Sequence, residues 1–290
     1  MKTVKERVFA KVNLTLFVQG AQGGYHALDS LVASVDLADT VVIKDRKDNL
    51  IRLQMKGLPI PPIHVEKNNA YKAAKAFMET FGCGGVDITV YKDIPVGAGL
   101  GGSSADAAAV LNGMAKLFGV KDEEKLDMLA DSLGSDTKYM RRGGYARMGG
   151  RGDRIERIDC EETLHLLLLC PNTSVSTAEC FATFDRLSEN AVRENPTDDC
   201  IKSLLAGDIV GVGQALTNDL YPAASVLNAE VKKAYEEAQS FSPCGAVMTG
   251  SGSCVLALFE TRELCEWAKS RYRGKAQAFV VKTVGEKQEG

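Results

Sequence analysis

The period of the hydrophobic positions changes several times along the chain, and each change marks an expected element. Residues 7–18 are a strand-like run of β-formers with Lys11 embedded among them, and Asn13 lies two positions on, hence on the same strand face. Glycines at 20, 23 and 24 turn the chain. Residues 25–35 follow, and 39–44 repeat a strand pattern, so an early meander is expected. Residues 48–62 turn polar and then proline-rich at Pro59, Pro61 and Pro62, which reads as a connection. Helical spacing sets in over 70–81 behind an asparagine cap, and again over 105–118 and 121–133. Between the first two helices, residues 86–91 alternate as a half-buried strand. Residues 145–158 close a first domain and 163–170 open a second as a buried strand, giving expected domains of 1–158 and 159–290. Residues 188–199 are a polar loop, and 245–259 read as strand, Gly/Ser turn and strand.

One stretch departs from all of these patterns. Residues 92–109 place Gly97, Gly99, Gly101 and Gly102, followed by Ser103 and Ser104, between the strand at 86–91 and the helix at 105–118. Glycine allows positive φ and close approach of a ligand to the main chain, and a helix start supplies unpaired N–H groups. Those are the parts of a phosphate cradle. A Walker A loop would end in Gly-Lys-[Ser/Thr], but Gly102 is followed by Ser103. Gly97-x-Gly99-x-x-Gly102 matches the dinucleotide fingerprint, but that motif needs a second strand and an acidic residue about 20 positions on. Here a second amphipathic helix follows instead.

Composition narrows the partners. The 290 residues are 45% hydrophobic and 25% charged, ordinary for a globular chain, and the net charge of -3 argues weakly against nucleic acid or an anionic membrane as partner. The eight cysteines are scattered without a Cys-x-x-Cys pair, and three histidines lack zinc-site spacing. No signal peptide is read, and the longest apolar run, 164–170, is too short to span a bilayer. The expectation is a reduced, cytoplasmic, soluble protein without a transition metal.

The stretch Pro95-Val-Gly-Ala-Gly-Leu-Gly-Gly-Ser-Ser104 resembles the central motif of the GHMP kinases, small-molecule kinases that cradle ATP phosphates without a Walker lysine. Ala10-Lys11-Val12-Asn13-Leu14 and Gly24-Tyr25-His26 are similar to the first block of those family members that act on a cytidyl-linked alcohol. The resemblance implies an α+β, two-domain fold, with a mixed sheet and helices in each domain and the active site in the cleft between them. ATP and Mg²⁺ are implied, with a small-molecule alcohol as the second substrate. Pro95, Val96, Gly97, Ala98, Gly99, Leu100, Gly101, Gly102, Ser103, Ser104, Ala105 and Asp106 would bind ATP, the main chain of Gly97 to Ser104 holding its phosphates, and Asn68 and Lys92 would lie near the adenine. By themselves, Asn68 reads as a cap and Lys92 as a surface lysine.

Leu133-Gly-Ser-Asp136 is similar to the family block that supplies a catalytic aspartate, and Lys11 matches the catalytic cation. On its own Asp136 reads as a helix cap. The substrate side would be Asn13, Tyr25 and His26, with Thr177 and Phe181 from a block resembling the family's Pro-x-x-x-x-x-Thr-x-x-x-[Phe/Tyr]. Tyr25 and Phe181 would sandwich the cytosine, and His26 would read its polar edge. The turn at 149–154, Asn218-Asp219-Leu220 and the 245–259 hairpin match further blocks, the hairpin packing against the phosphate loop. Three departures stand out: Ser103 for a glycine, Asp106 for an asparagine, and Lys138 within Thr137-Lys-Tyr-Met140 beside Asp136. Three alternatives stay open here: a GHMP kinase for homoserine, mevalonate or a sugar, a nicotinamide-dependent oxidoreductase, and a nucleotide-binding regulator.

Overall fold

The computed structural model of the chain describes residues 2–22, 25–59, 62–187 and 194–286, without the side chains of 20–22 and 25. The chain starts with β1 (Thr3–Asn13), β2 (Thr15–Gln22) and β3 (Tyr25–Asp45). The expected meander over 25–44 is one strand of 21 residues rather than two. Its polar interruption is a bulge: Phe9 pairs with Ala38 and Ala10 with Val35, leaving Asp36 and Leu37 as extra residues within the strand. Asp36 is used there, its carboxylate accepting from the Lys282 N–H at 3.0 Å.

The expected connection at 48–62 likewise contains a strand, β4 (Ile51–Gly57). Ile51, Leu53 and Met55 alternate with polar residues, a signal outweighed by the nearby prolines. β4 pairs in parallel with β5 (Val86–Lys92), which pairs antiparallel with β3. Between them lies α1 (Asn69–Phe81), capped by Asn68, whose Oδ1 accepts from the Ala70 N–H at 2.9 Å.

After β5 come α2 (Gly102–Phe118), α3 (Glu123–Leu133) and α4 (Thr137–Arg142), with no strand among them, as read against the dinucleotide fold. α2 is lined with small residues, and Ala105, Ala107, Ala108 and Ala109 are buried on it. A Cβ on Gly113 would come 2.6 Å from Ile43 Cδ1, so α2 lies directly on the sheet. The sheet then gains β6 (Tyr145–Gly150) and β7 (Arg154–Ile158).

The second half supplies β8 (His165–Cys170), α5 (Thr177–Leu187), α6 (Thr197–Leu205), α7 (Ile209–Ala215) and β9 (Thr217–Asn218). It ends with α8 (Tyr221–Leu227), α9 (Ala229–Gln239), β10 (Gly245–Met248), β11 (Val255–Phe259), α10 (Arg262–Arg271) and β12 (Gln277–Val284). β12 pairs with both β8 and β3, joining the strands of the two halves into one mixed sheet ordered β10-β11-β8-β12-β3-β2-β9 along its main path. One apolar cluster packs around β1, β3, β5 and α2, and a second fills the space between the later strands and α5, α8, α9 and α10. Among the described residues no helix is long and apolar enough to cross a membrane.

Candidate active site

The phosphate-type loop runs from β5 to α2. Gly99 and Gly101 take φ of +78° and +70°, the left-handed region, and both are also closed sterically. A Cβ on Gly99 would lie 2.3 Å from the Thr249 carbonyl oxygen, and one on Gly101 would lie 2.2 Å from Met140 Cε. The loop is held from behind: the Lys11 N–H donates to the Leu100 carbonyl and the Cys254 N–H to the Ala98 carbonyl, each at 3.1 Å. The hairpin β10–β11 therefore packs on the loop, as its sequence resemblance suggested. Asn218 steadies that hairpin, its amide donating to the carbonyls of Met248 at 2.6 Å and Gly250 at 2.8 Å. Gly99→Ala is expected to destabilise the fold by about 1–3 kcal/mol through overpacking; an unchanged denaturation midpoint in urea would mean that the Thr249 carbonyl gives way to the added methyl.

Gly101 caps α2, so the helix begins earlier than its apolar spacing indicated, and the first-turn N–H groups face the loop. Here one expected residue falls away. Ala105 is fully buried in the core, and its N–H donates to the Gly101 carbonyl at 2.9 Å, leaving no donor for a phosphate. The other expected nucleotide residues, Asn68, Lys92, residues 95–104 and Asp106, all line one cavity of about 340 Å³, joined by Met55 from β4.

Lys92 is not the surface lysine its isolated position suggested. Its ammonium is buried between Asp39 and Asp106, donating to Asp106 Oδ2 at 2.9 Å. Burial opposes its charge, but Asp106 and Asp39 hold its pKa above the ordinary lysine value. Burial, against the pull of Lys92, pushes the Asp106 carboxyl up to about 7. Asp106 Oδ1 has no hydrogen-bond partner among the described residues. Asp39, absent from the sequence-based site, is fully buried; its Oδ1 accepts from the N–H groups of Asp93 at 2.7 Å and Ile94 at 2.9 Å. It thus pins the strand end where the glycine loop departs. An acid opening an otherwise apolar strand was the available signal.

A larger cavity of about 830 Å³ lies on the other side of the loop and shares Gly99 and Gly101 with the first. Lys11, Asn13 and Asp136 line it. Lys11 Nζ donates to Asn13 Oδ1 at 2.6 Å and lies 3.5 Å from Asp136 Oδ2. Asn13 is fixed in turn, its Nδ2 donating to Ser30 Oγ at 2.8 Å and its N–H to Thr249 Oγ1 at 2.9 Å. Asp136 occupies the position before α4 where a side-chain cap is usual, yet it makes no cap bond. Its carboxylate is left for Lys11. α4 is anchored by buried Arg141, which donates to Glu123 Oε2 at 2.8 Å, Asn112 Oδ1 at 3.0 Å and Asp127.

The departure at Lys138 is resolved by its direction: its ammonium meets Asp131 Oδ2 at 3.1 Å. Lys138→Ala is therefore expected to change stability by no more than about 0.5 kcal/mol, with kcat unchanged; a marked fall in kcat would tie Lys138 to the reacting groups. Ser103 is exposed at the loop, its side chain at the mouth of the smaller cavity.

At the far end of the larger cavity stand His26, Thr177 and Phe181. The rings of His26 and Phe181 stack at 4.9 Å and 23°. Thr177 Oγ1 lies 2.9 Å from Ser251 Oγ, which ties α5 to the β10–β11 turn. Tyr25 opens β3, but its side chain, like Gly24, lies outside the described residues. The Gly149–Gly152 turn reaches the same cavity through Arg151 and Gly152. All eight cysteines are free thiols.

Comparison with known proteins gives the same answer over both halves. Family models described as the GHMP kinases N terminal domain and the GHMP kinases C terminal match residues 68–146 and 200–272. A 4-diphosphocytidyl-2-C-methyl-D-erythritol kinase of Clostridium beijerinckii is 34% identical, the match covering 97% of this chain and 100% of that protein. One from Bacillus cereus is 32% identical, covering 96% of each. The crystal structure of a 4-(cytidine 5'-diphospho)-2C-methyl-D-erythritol kinase superimposes with a TM-score of 0.83 at 28% identity, over 97% of this chain and 100% of that one. A homoserine kinase from Cytophaga hutchinsonii, at a TM-score of 0.71 and 18% identity over 98% of this chain and 96% of that one, shares the fold.

Proposed function

The chain belongs to the GHMP kinase family, and from that premise we propose that it transfers the γ-phosphoryl group of ATP to the 2-hydroxyl of 4-diphosphocytidyl-2-C-methyl-D-erythritol. The reaction is a step in non-mevalonate isoprenoid precursor synthesis and takes place in the cytoplasm. One observation carries the reading: a single glycine loop walls both cavities, so a phosphate on one face of Gly99 and Gly101 meets the Lys11–Asp136 pair on the other. The choice of alcohol rests on the near full-length relatives of that name, and His26 and Phe181 line the larger cavity where its cytidyl group would lie. Residues 1–158 form the nucleotide-binding and catalytic domain, and 159–290 the domain that completes the substrate site.

The mechanism follows from charge. Main-chain N–H groups of residues 97–104, other than the buried ones of the core face, hold the phosphates with the positive end of α2. Asn68 and Asp106 bound the nucleotide cavity. Asp136 orients the substrate hydroxyl and takes its proton as the oxygen bonds to phosphorus and ADP leaves. Lys11, held by Asn13 and Asp136, faces the charge that builds on the transferring group. No covalent enzyme intermediate is involved. His26, Thr177 and Phe181, which line the larger cavity, bound the space for the cytidyl end.

Among the described residues no group of three or more His, Cys, Asp or Glu side chains is placed to hold a metal ion. Mg²⁺ is implied by the chemistry of ATP rather than by a cluster of side chains. When bound with the nucleotide it would neutralise phosphate charge.

The test is ADP release from Mg²⁺-ATP with 4-diphosphocytidyl-2-C-methyl-D-erythritol, 2-C-methyl-D-erythritol 4-phosphate, mevalonate and homoserine as acceptors. Turnover with the cytidyl alcohol alone is expected. Turnover with another acceptor would keep the phosphoryl-transfer chemistry and overturn the substrate.

A further inference from the structure

A buried cluster of charge beneath the nucleotide cavity has no part in the mechanism above. Lys92 Nζ lies between Asp39 and Asp106, so two carboxylates share one ammonium. The two acids are not equivalent. Asp39 Oδ1 accepts from the N–H groups of Asp93 and Ile94, and its Oδ2 accepts from Lys92. Asp106 Oδ2 accepts from Lys92 at 2.9 Å, but Asp106 Oδ1 is buried with no hydrogen-bond partner among the described residues. A buried carboxylate with one oxygen unserved by donors is costly to charge, so a proton arriving at the cluster goes to Asp106. A hydrogen bond to the Asp39 carboxylate further favours the protonated form. The departure from asparagine at this position thus introduces a titrating group.

The other charged groups on the elements around Asp106 are engaged elsewhere or exposed. On β1, Lys11 packs against Gly101 and faces Asp136, and Glu6 pairs with Lys116 at 3.0 Å. Lys72, Lys75 and Glu79 of α1 are exposed, as are Asp93 after β5 and Lys67 across the cavity. On α3 and α4, Glu123 and Asp127 are bound to Arg141, Arg142 reaches Glu123 at 3.6 Å, and Asp131 meets Lys138. Buried Tyr139 donates to the Gly144 carbonyl. Lys92 and Asp39 are the charges that act most strongly on Asp106, and with burial they set its carboxyl at about 7. The cluster also lies directly under the glycine loop, since a Cβ on Gly102 would come 3.3 Å from Lys92 Nζ. Phosphates held by that loop bring negative charge to the cavity that Asp106 lines, and a like charge disfavours ionisation.

We propose that Asp106 makes nucleotide binding proton-linked: the protein takes up a proton from solvent at Asp106 as it accepts ATP, so that the buried cluster presents one negative charge fewer to the phosphates. The inference rests on the reading that those phosphates lie on the 97–104 loop. Bound phosphate raises the proton affinity of Asp106 above its value in the free protein. Affinity for ATP is therefore highest below pH about 7, where Asp106 is already protonated, and falls as pH rises through that value. The fall ends once the carboxyl is ionised in the complex as well.

The test is calorimetric titration of the full chain with ATP between about pH 6 and about pH 8.5, in excess Mg²⁺ so that the nucleotide itself stays ionised. Each titration is run in two buffers of different ionisation enthalpy, which reads the protons taken up on binding. The wild type is expected to take up as much as about one proton. Its ATP affinity should fall about three- to tenfold across the range, the effect of one or two like charges on a shielded carboxyl. Asp106→Asn keeps the shape and an oxygen for Lys92 but does not titrate, so both the uptake and the fall should disappear. A purely structural role would change ATP affinity by one factor at every pH and leave the uptake in place. Uptake that persists in folded Asp106→Asn, or in folded Asp106→Ala should the asparagine variant not fold, overturns the proposal. So does a wild type that binds ATP without taking up a proton. Both outcomes leave the kinase reading intact. A wild type that binds no ATP at any pH overturns the two together, and proton-linked binding in a protein that phosphorylates no alcohol sinks the proposed reaction alone.

Discussion

Asp136→Asn is expected to lower kcat by about 10²- to 10⁴-fold, the range for removal of a positioned general base, while ATP binding changes little. The substitution keeps the shape of the side chain and its place before α4, where it makes no cap bond whose loss would confuse the result. What it removes is the carboxylate that faces Lys11 Nζ at 3.5 Å and the only change in proton affinity the reaction asks of this position. Lys11 keeps its bond to Asn13 Oδ1 at 2.6 Å, so the ammonium is not left without a partner. The effect should fall on kcat rather than on KM for either substrate, as for an interaction that strengthens in the transition state. Steady-state ADP release in both substrates measures it. A variant with normal kcat and a raised KM for the alcohol would reduce Asp136 to a binding group and require another proton acceptor.

Asp39→Ala carries the largest expected cost in stability, about 3–5 kcal/mol, the range for removing one partner of a buried ion pair. Three groups depend on that carboxylate: the buried ammonium of Lys92 and the N–H groups of Asp93 and Ile94. Without it, Lys92 keeps only Asp106, whose own charge burial disfavours. Two main-chain donors at the entrance to the glycine loop also lose their acceptor. The loss should therefore appear twice, as a lower denaturation midpoint in urea and as weaker ATP binding in the protein that remains folded. Asp39→Asn retains an oxygen for the N–H groups and should recover part of the stability. A cost below about 1 kcal/mol for the alanine variant would mean that Lys92 finds another partner or sheds its proton on folding.

Much of the nucleotide side was legible because its requirements are local. Gly99 and Gly101 need positive φ, a property of the glycine backbone itself, and the helical spacing that follows them is set within a few turns. The cap at Asn68 and the acidic start of α3 at Asp122 are of the same kind, each satisfied by an N–H two or three residues away. Lys11 and Asp136 were legible only through resemblance to a family, because a lysine in a strand and an aspartate after Gly-Ser are ordinary in isolation. The misread strands share one cause. The bulge at Asp36–Leu37 and the edge strand β4 exist because partner strands fix them, β1 in the first case and β5 in the second.

By itself, then, the sequence determined the glycine loop, the helices around it and the caps, because each depends on backbone preference and hydrophobic period over a short span, and its motifs pointed to the family. Only the tertiary structure decided which charges meet. Asp39 reaches Lys92 because β3 and β5 pair in a particular register, Asp185 reaches His26 because α5 packs over the start of β3, and Lys138 turns to Asp131 instead of Asp136. Electrostatic partnership falls off over a few ångströms, and distances of that size between residues far apart in the chain are set by packing, which no local pattern encodes.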